Sequence, residues 1–69
     1  MTLNEFVLTS LEGFESFAIQ EKTIEGKLRD RVLDAELYKK LEGYEVENYY
    51  LNINKQGLPY IVIKLEYYQ

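Results

Sequence analysis

Residues 44–68 read YEVENYYLNINKQGLPYIVIKLEYY, and this stretch decides the fold. Tyr49, Leu51 and Ile53 alternate with Tyr50, Asn52 and Asn54, the period of a half-buried strand. Ile61, Ile63, Leu65 and Tyr67 then alternate with Tyr60, Val62, Lys64 and Glu66. Between the runs, Asn54-Lys55-Gln56-Gly57 has the chemistry of a three-residue hairpin loop. Asn opens a type I turn, and glycine takes the position that needs positive φ.

That turn sets a register. Asn54 faces Leu58, Ile53 faces Pro59, Leu51 faces Ile61, Tyr49 faces Ile63 and Glu47 faces Leu65. The expected hairpin spans 45–67, with Tyr49, Leu51, Ile53, Ile61, Ile63, Leu65 and Tyr67 on a core face covered by helices. A slip of one residue would mix the two faces. Pro59 suits a position where its missing N–H points away from the partner strand. At the other end Val46 falls out of phase. Either the inner face is wet there, or a bulge near Asn48 switches the alternation, and the bulge is the preferred reading.

Upstream, Thr2-Leu3-Asn4-Glu5 is a capping box, and Leu3, Phe6, Val7 and Leu11 share one helical face. A helix is expected over 3–12, ended by a left-handed Gly13 with Phe14 as its apolar contact. Residues 15–22 read as a strand with Phe17 and Ile19 inward and Ser16, Ala18 and Gln20 outward. Lys27 to Val32 reads as a second, charged strand after a turn at Gly26, with an irregular loop as the alternative. Asp34 caps a helix over 35–42, with Leu33 placed to staple onto Tyr38. Leu41-Glu42-Gly43-Tyr44-Glu45 repeats the Leu11-Glu12-Gly13-Phe14-Glu15 pattern, the same helix-to-strand signal with a glycine cap. The expected fold is a single α+β domain over 1–69. Its order is α-β-(β)-α-β-β, a single-layer antiparallel sheet of three to four strands with two helices on one face.

Sixty-nine residues bury about 60% of their unfolded surface, so the core is thin. The chain has neither cysteine nor histidine, which removes disulfides and the usual zinc, iron and copper ligands. No metal or cofactor is expected. No apolar run approaches the roughly 20 residues of a membrane span, and no signal peptide is visible, so a cytoplasmic, non-membrane protein is expected. A net charge of −4 argues against nucleic-acid binding, whose affinity rests on Lys and Arg.

Catalysis finds little to stand on. Without His or Cys, a nucleophile would need Ser or Thr beside Lys, and Ser10 and Ser16 fit local structural roles. Glu45 and Glu47 suit a solvated strand end better than an acid–base pair. Asp30, Asp34 and Glu36 lack the spacing of a calcium loop. The four glycines are scattered rather than gathered into a phosphate loop. Neither an enzyme nor a small-molecule substrate is expected.

Seven tyrosines are more than so small a core can hold. The hairpin's second face offers Tyr50, Asn52, Tyr60, Val62 and Lys64, extended by a Tyr44–Tyr68 pair. Tyrosine gives large contact area plus a hydroxyl for specificity, and interfaces are enriched in it. Cross-strand pairs such as Tyr50–Val62 also stabilise any sheet, by ~0.2–1 kcal/mol each. The expected role is a non-enzymatic interaction module. It would use Tyr50, Asn52, Tyr60, Val62, Lys64 and Tyr68 to bind a protein partner or a second copy as a homodimer.

The start Met-Thr-Leu-x-Glu-Phe, the Phe17/Ile19 strand, the Leu41-Glu42-Gly43-Tyr44-Glu45-Val46 junction and the Ile61-Val62-Ile63 strand resemble small uncharacterised proteins. These proteins are encoded by Gram-positive phages, prophages and conjugative elements, and have no assigned activity. That resemblance implies a setting in which small acidic proteins block other proteins. It supplies the alternative reading, an acidic inhibitor of a nucleic-acid-processing protein acting through Glu12, Glu15, Glu42, Glu45 and Glu47.

Overall fold

A computed structural model describes residues 1–9 and 17–68. The elements are α1 (Leu3–Thr9), β1 (Phe17–Lys22), β2 (Leu28–Val32), α2 (Ala35–Leu41), β3 (Val46–Ile53) and β4 (Pro59–Leu65). Both helices lie on one face of a four-stranded sheet ordered β2-β1-β4-β3. The α+β class and element order are as the sequence implied. The expected helix beyond Thr9, with its Gly13 and Phe14, and the first two residues of the 15–22 strand fall outside the described residues.

The C-terminal hairpin forms in the expected register, Ile53 opposite Pro59, Leu51 opposite Ile61 and Tyr49 opposite Ile63. Gly57 takes a φ of 82°, and the Asn54 carboxamide oxygen accepts the amides of Gln56 and Leu58, each at 2.9 Å. The bulge exists: between Val46 and Asn48 the register shifts, so Val46 rather than Glu47 faces Leu65. One extra residue there returns an apolar side chain to the core side.

Residues 28–32 are a strand, not a loop, and their hairpin closes the same way. Gly26 adopts a φ of 84°, the Thr23 amide donates to the Lys27 carbonyl at 2.7 Å, and the Thr23 hydroxyl accepts the Lys27 amide at 3.2 Å. The two hairpins stand side by side with β1 parallel to β4, so the sheet is mixed rather than antiparallel throughout. A parallel neighbour requires a crossover, and α2 supplies it.

The capping box is present: the Thr2 amide donates to the Glu5 carboxylate at 2.9 Å, and Thr2 Oγ1 accepts the Glu5 amide at 3.3 Å. Leu3 and Asn4 donate their amides to the carbonyls of Tyr44 (2.8 Å) and Glu42 (3.0 Å). The start of α1 is thereby satisfied by the end of α2. Asp34 caps α2 as expected, accepting the Leu37 amide at 2.8 Å. Gly43 departs from expectation, because among the described residues the left-handed glycines are Gly26 and Gly57. The chain instead turns through the Tyr44 amide, which donates to the Leu41 carbonyl at 2.9 Å.

Leu3, Phe6, Leu37 and Leu41 from the helices pack on Ile19, Ile61, Ile63 and Leu65. Every strand residue in that set comes from β1 or β4. The expected core face of β3 is corrected accordingly: Tyr49, Leu51 and Ile53 are 57%, 62% and 66% exposed. Tyr67, placed inward by its alternation, is exposed as well, since β4 ends at Leu65 and Tyr67 takes a φ of 62°. On β3 the Phe6 ring rests against Tyr49, centroids 4.9 Å apart, while Val46 packs at the far end.

Candidate functional site

The sheet face opposite the helices is built by all four strands. Its residues are Leu28, Asp30 and Val32 from β2, Ala18, Gln20 and Lys22 from β1, Tyr60, Val62 and Lys64 from β4, and Asn48, Tyr50 and Asn52 from β3. Five polar side chains interlock across it. Tyr60 donates its hydroxyl to Asp30 Oδ2 at 2.9 Å, and the Asn52 amide reaches the same oxygen at 3.4 Å. Gln20 donates to the Tyr50 hydroxyl at 3.1 Å, spanning β4. Asp30 and Asn52 belong to opposite edge strands, which a flat sheet would hold about 14 Å apart, farther than two short side chains reach. The sheet therefore curls toward this face.

Curling accounts for a correction. Val62, expected as an exposed contact residue, is 0% exposed. It lies between Ala18 and Tyr50 across the strands and between Tyr60 and Lys64 along its own. On the same face Gln20 and Tyr50 bond to each other across β4, and Tyr60 and Asp30 bond beside them. At the mouth of the curl lies a groove of about 360 Å³, between Asp30 and Val32 on one side and Ile53, Asn54 and Lys55 on the other. As an acceptor, Asp30 holds the Tyr60 hydroxyl above the usual phenol range, with desolvation adding to the effect.

Of the expected contact residues, Tyr50, Asn52, Tyr60 and Lys64 share this open face, and Lys64 pairs with Glu47 at 2.9 Å. Tyr68 does not join them. It packs against the helix-side core, with Tyr44 edge-on at 5.9 Å, and donates its hydroxyl to Glu21 at 2.9 Å. Once β4 ends at Leu65, strand alternation no longer governs where Tyr68 points. Residues that the sequence reading left out are Gln20 and Asp30. Their signal was the Gly26 turn, which places Asp30 opposite Gln20.

Glu21 was also missed. It sits inward on β1, 7% exposed, with Arg29 Nε donating at 2.6 Å and the Arg31 guanidinium forming an ion pair at 3.8 Å. Hydrogen bonds from Arg29 and then Tyr68 hold its carboxyl below the usual range despite burial. The group is structural, tying β2 and the C-terminal residues to β1.

The acidic residues of the alternative reading are partly neutralised where described. Glu45 pairs with the N-terminal ammonium at 2.8 Å and raises that group's pKa, and Glu47 is taken by Lys64. Glu12 and Glu15 lie outside the described residues. Among the described residues no cluster of three or more metal-ligating side chains forms. No helix among them is long and apolar enough to cross a membrane. No family model, curated protein or solved structure matches the chain.

Proposed function

We propose that this domain is a non-enzymatic interaction module that docks a protein partner on the open face of its sheet. The observation that carries the reading is the Tyr60–Asp30–Asn52 and Gln20–Tyr50 network, which fixes two half-exposed tyrosines in place before any partner arrives. Fixed rings lose little conformational freedom on binding, and side-chain ordering is one of the costs of association that preorganisation reduces. Exposed Leu28 and Val32 add an apolar margin along β2, and the groove beside Asp30 gives a partner side chain somewhere to enter. Aromatic anchors amid satisfied polar groups are the composition of an interface centre.

The test is parallel capture from the producing cells on immobilised wild type and on a Tyr50→Ser/Tyr60→Ser variant, quantified by mass spectrometry. A protein retained by the wild type and lost by the folded variant supports the reading. Equal retention on both contradicts it.

A further inference from the structure

Each hairpin leaves one edge strand, and among the described residues the outer edge of β3 from Asn48 to Ile53 carries no neighbour. Hydrogen bonding at the turn (Asn54 amide to Leu58 carbonyl) directs the even residues of β3 toward β4. Tyr49, Leu51 and Ile53 therefore point their amides and carbonyls outward. Two of those amides are held within the chain: Asn48 Oδ1 accepts from Tyr49 at 2.8 Å, and Asn52 Oδ1 accepts from Ile53 at 2.9 Å. The central one, Leu51, has no such cap among the described bonds.

The stretch 48–54, NYYLNIN, carries no charge, proline or glycine, and its helix-side residues are exposed. Natural edges are normally blunted by charge, a bulge or a short strand. Here the bulge lies at the far end, before Asn48.

We propose that β3 pairs with β3 of a second copy, antiparallel about a two-fold axis at Leu51, giving an eight-stranded sheet. A second copy is the occupant because the strand is self-complementary about that axis. Leu51 meets Leu51, and Tyr49 of one copy meets Ile53 of the other, an aromatic–β-branched pair of the stabilising kind. The three outward residues of each strand fall in hydrogen-bonded positions. No charge opposes a like charge. The same operation on β2 would set Asp30 against Asp30 and Arg29 against Arg31. Pairing must displace the Asn48 and Asn52 caps, so it nucleates at the Leu51 amide, which no bond among the described residues occupies, and the caps hold it weak. A contact this small belongs with transient interfaces. The axis stands perpendicular to the sheet, so both open faces end on the same side. The pairing does not depend on the open face taking a partner.

Sedimentation equilibrium on the whole chain tests this. Wild type should pass from monomer toward dimer below ~1 mM, a weak self-affinity. Leu51→Lys, at an exposed position, should stay monomeric with an unchanged circular dichroism spectrum. Asn48→Thr/Asn52→Thr should dimerise at least about tenfold more tightly, since four competing hydrogen bonds per dimer are gone. Tyr60→Ser should dimerise like wild type, which separates edge pairing from association through the open face. A wild type that stays monomeric to ~1 mM overturns the proposal, as does a Leu51→Lys variant that dimerises equally well.

Discussion

The two edges of this sheet solve one problem in different ways. β2 carries three consecutive charges, Arg29, Asp30 and Arg31, between Leu28 and Val32, and the two arginines reach inward to the buried Glu21. β3 has no charge from Asn48 onward and relies on asparagine side chains bonded to its own outward amides. Charge protects an edge permanently, because any approaching strand must desolvate or oppose it. A side-chain cap protects conditionally, because an incoming carbonyl replaces one hydrogen bond with another at little net cost. The difference implies a sheet that is closed on one side and gated on the other.

Both edges hang on the same central pair, which sets the largest expected effect. Ile63→Ala empties a fully buried site and should cost about 2–5 kcal/mol in denaturant unfolding. Because β1 and β4 carry the core, protection should fall at both edges alike. Loss confined to one edge would mean that the hairpins fold as separate units.

Glu21→Gln acts on β2 and on the C-terminal Tyr68, and leaves the β3 edge alone. Losing the charge that binds Arg29, Arg31 and the Tyr68 hydroxyl should cost about 1–2 kcal/mol. It should also change the acid limb. The folded-state pKa of Glu21 lies below the ordinary glutamate range, so its stabilisation is fully present above that range and lost as pH falls through the folded value. Wild type should therefore lose stability in acid, and the variant should lack that share of the loss. Glu5, lowered by the Thr2 amide, keeps its own share in both proteins. An identical acid limb would exclude Glu21 as a source.

The two turns provide the smallest effect and an internal control. Gly26→Ala and Gly57→Ala place a side chain at φ values of 84° and 82°, with nothing within 4 Å of the added carbon. Each should cost about 1 kcal/mol in thermal unfolding, purely from backbone conformation. A large inequality would show that one hairpin contributes more to global stability than the other.

Much of this was legible from residues alone. Asn54 and Gly57 fixed the hairpin register, Val46 out of phase announced the bulge, and Thr2 and Asp34 marked both helix starts, because each signal acts over a few residues. What stayed hidden depends on distant neighbours. No local pattern states that β1 lies parallel to β4, and that pairing puts Asp30 and Gln20 on the same face as the tyrosines. Val62 alternates as an outward residue and is outward, yet the curl of the sheet buries it. Tyr49, Leu51 and Ile53 alternate as inward residues, but an edge strand lies beyond the helix-side core that β1 and β4 support. Alternation gives direction, while burial depends on what stands opposite.

Amide hydrogen exchange measured against protein concentration tests the difference between the edges most directly. The outward amides are those of Tyr49, Leu51 and Ile53 on β3 and of Leu28, Asp30 and Val32 on β2. Exchange at the β3 set should slow as concentration rises, most clearly at Leu51, while the β2 set keeps its rates. Rates at Leu51 that do not depend on concentration, or equal slowing at both edges, would contradict the account.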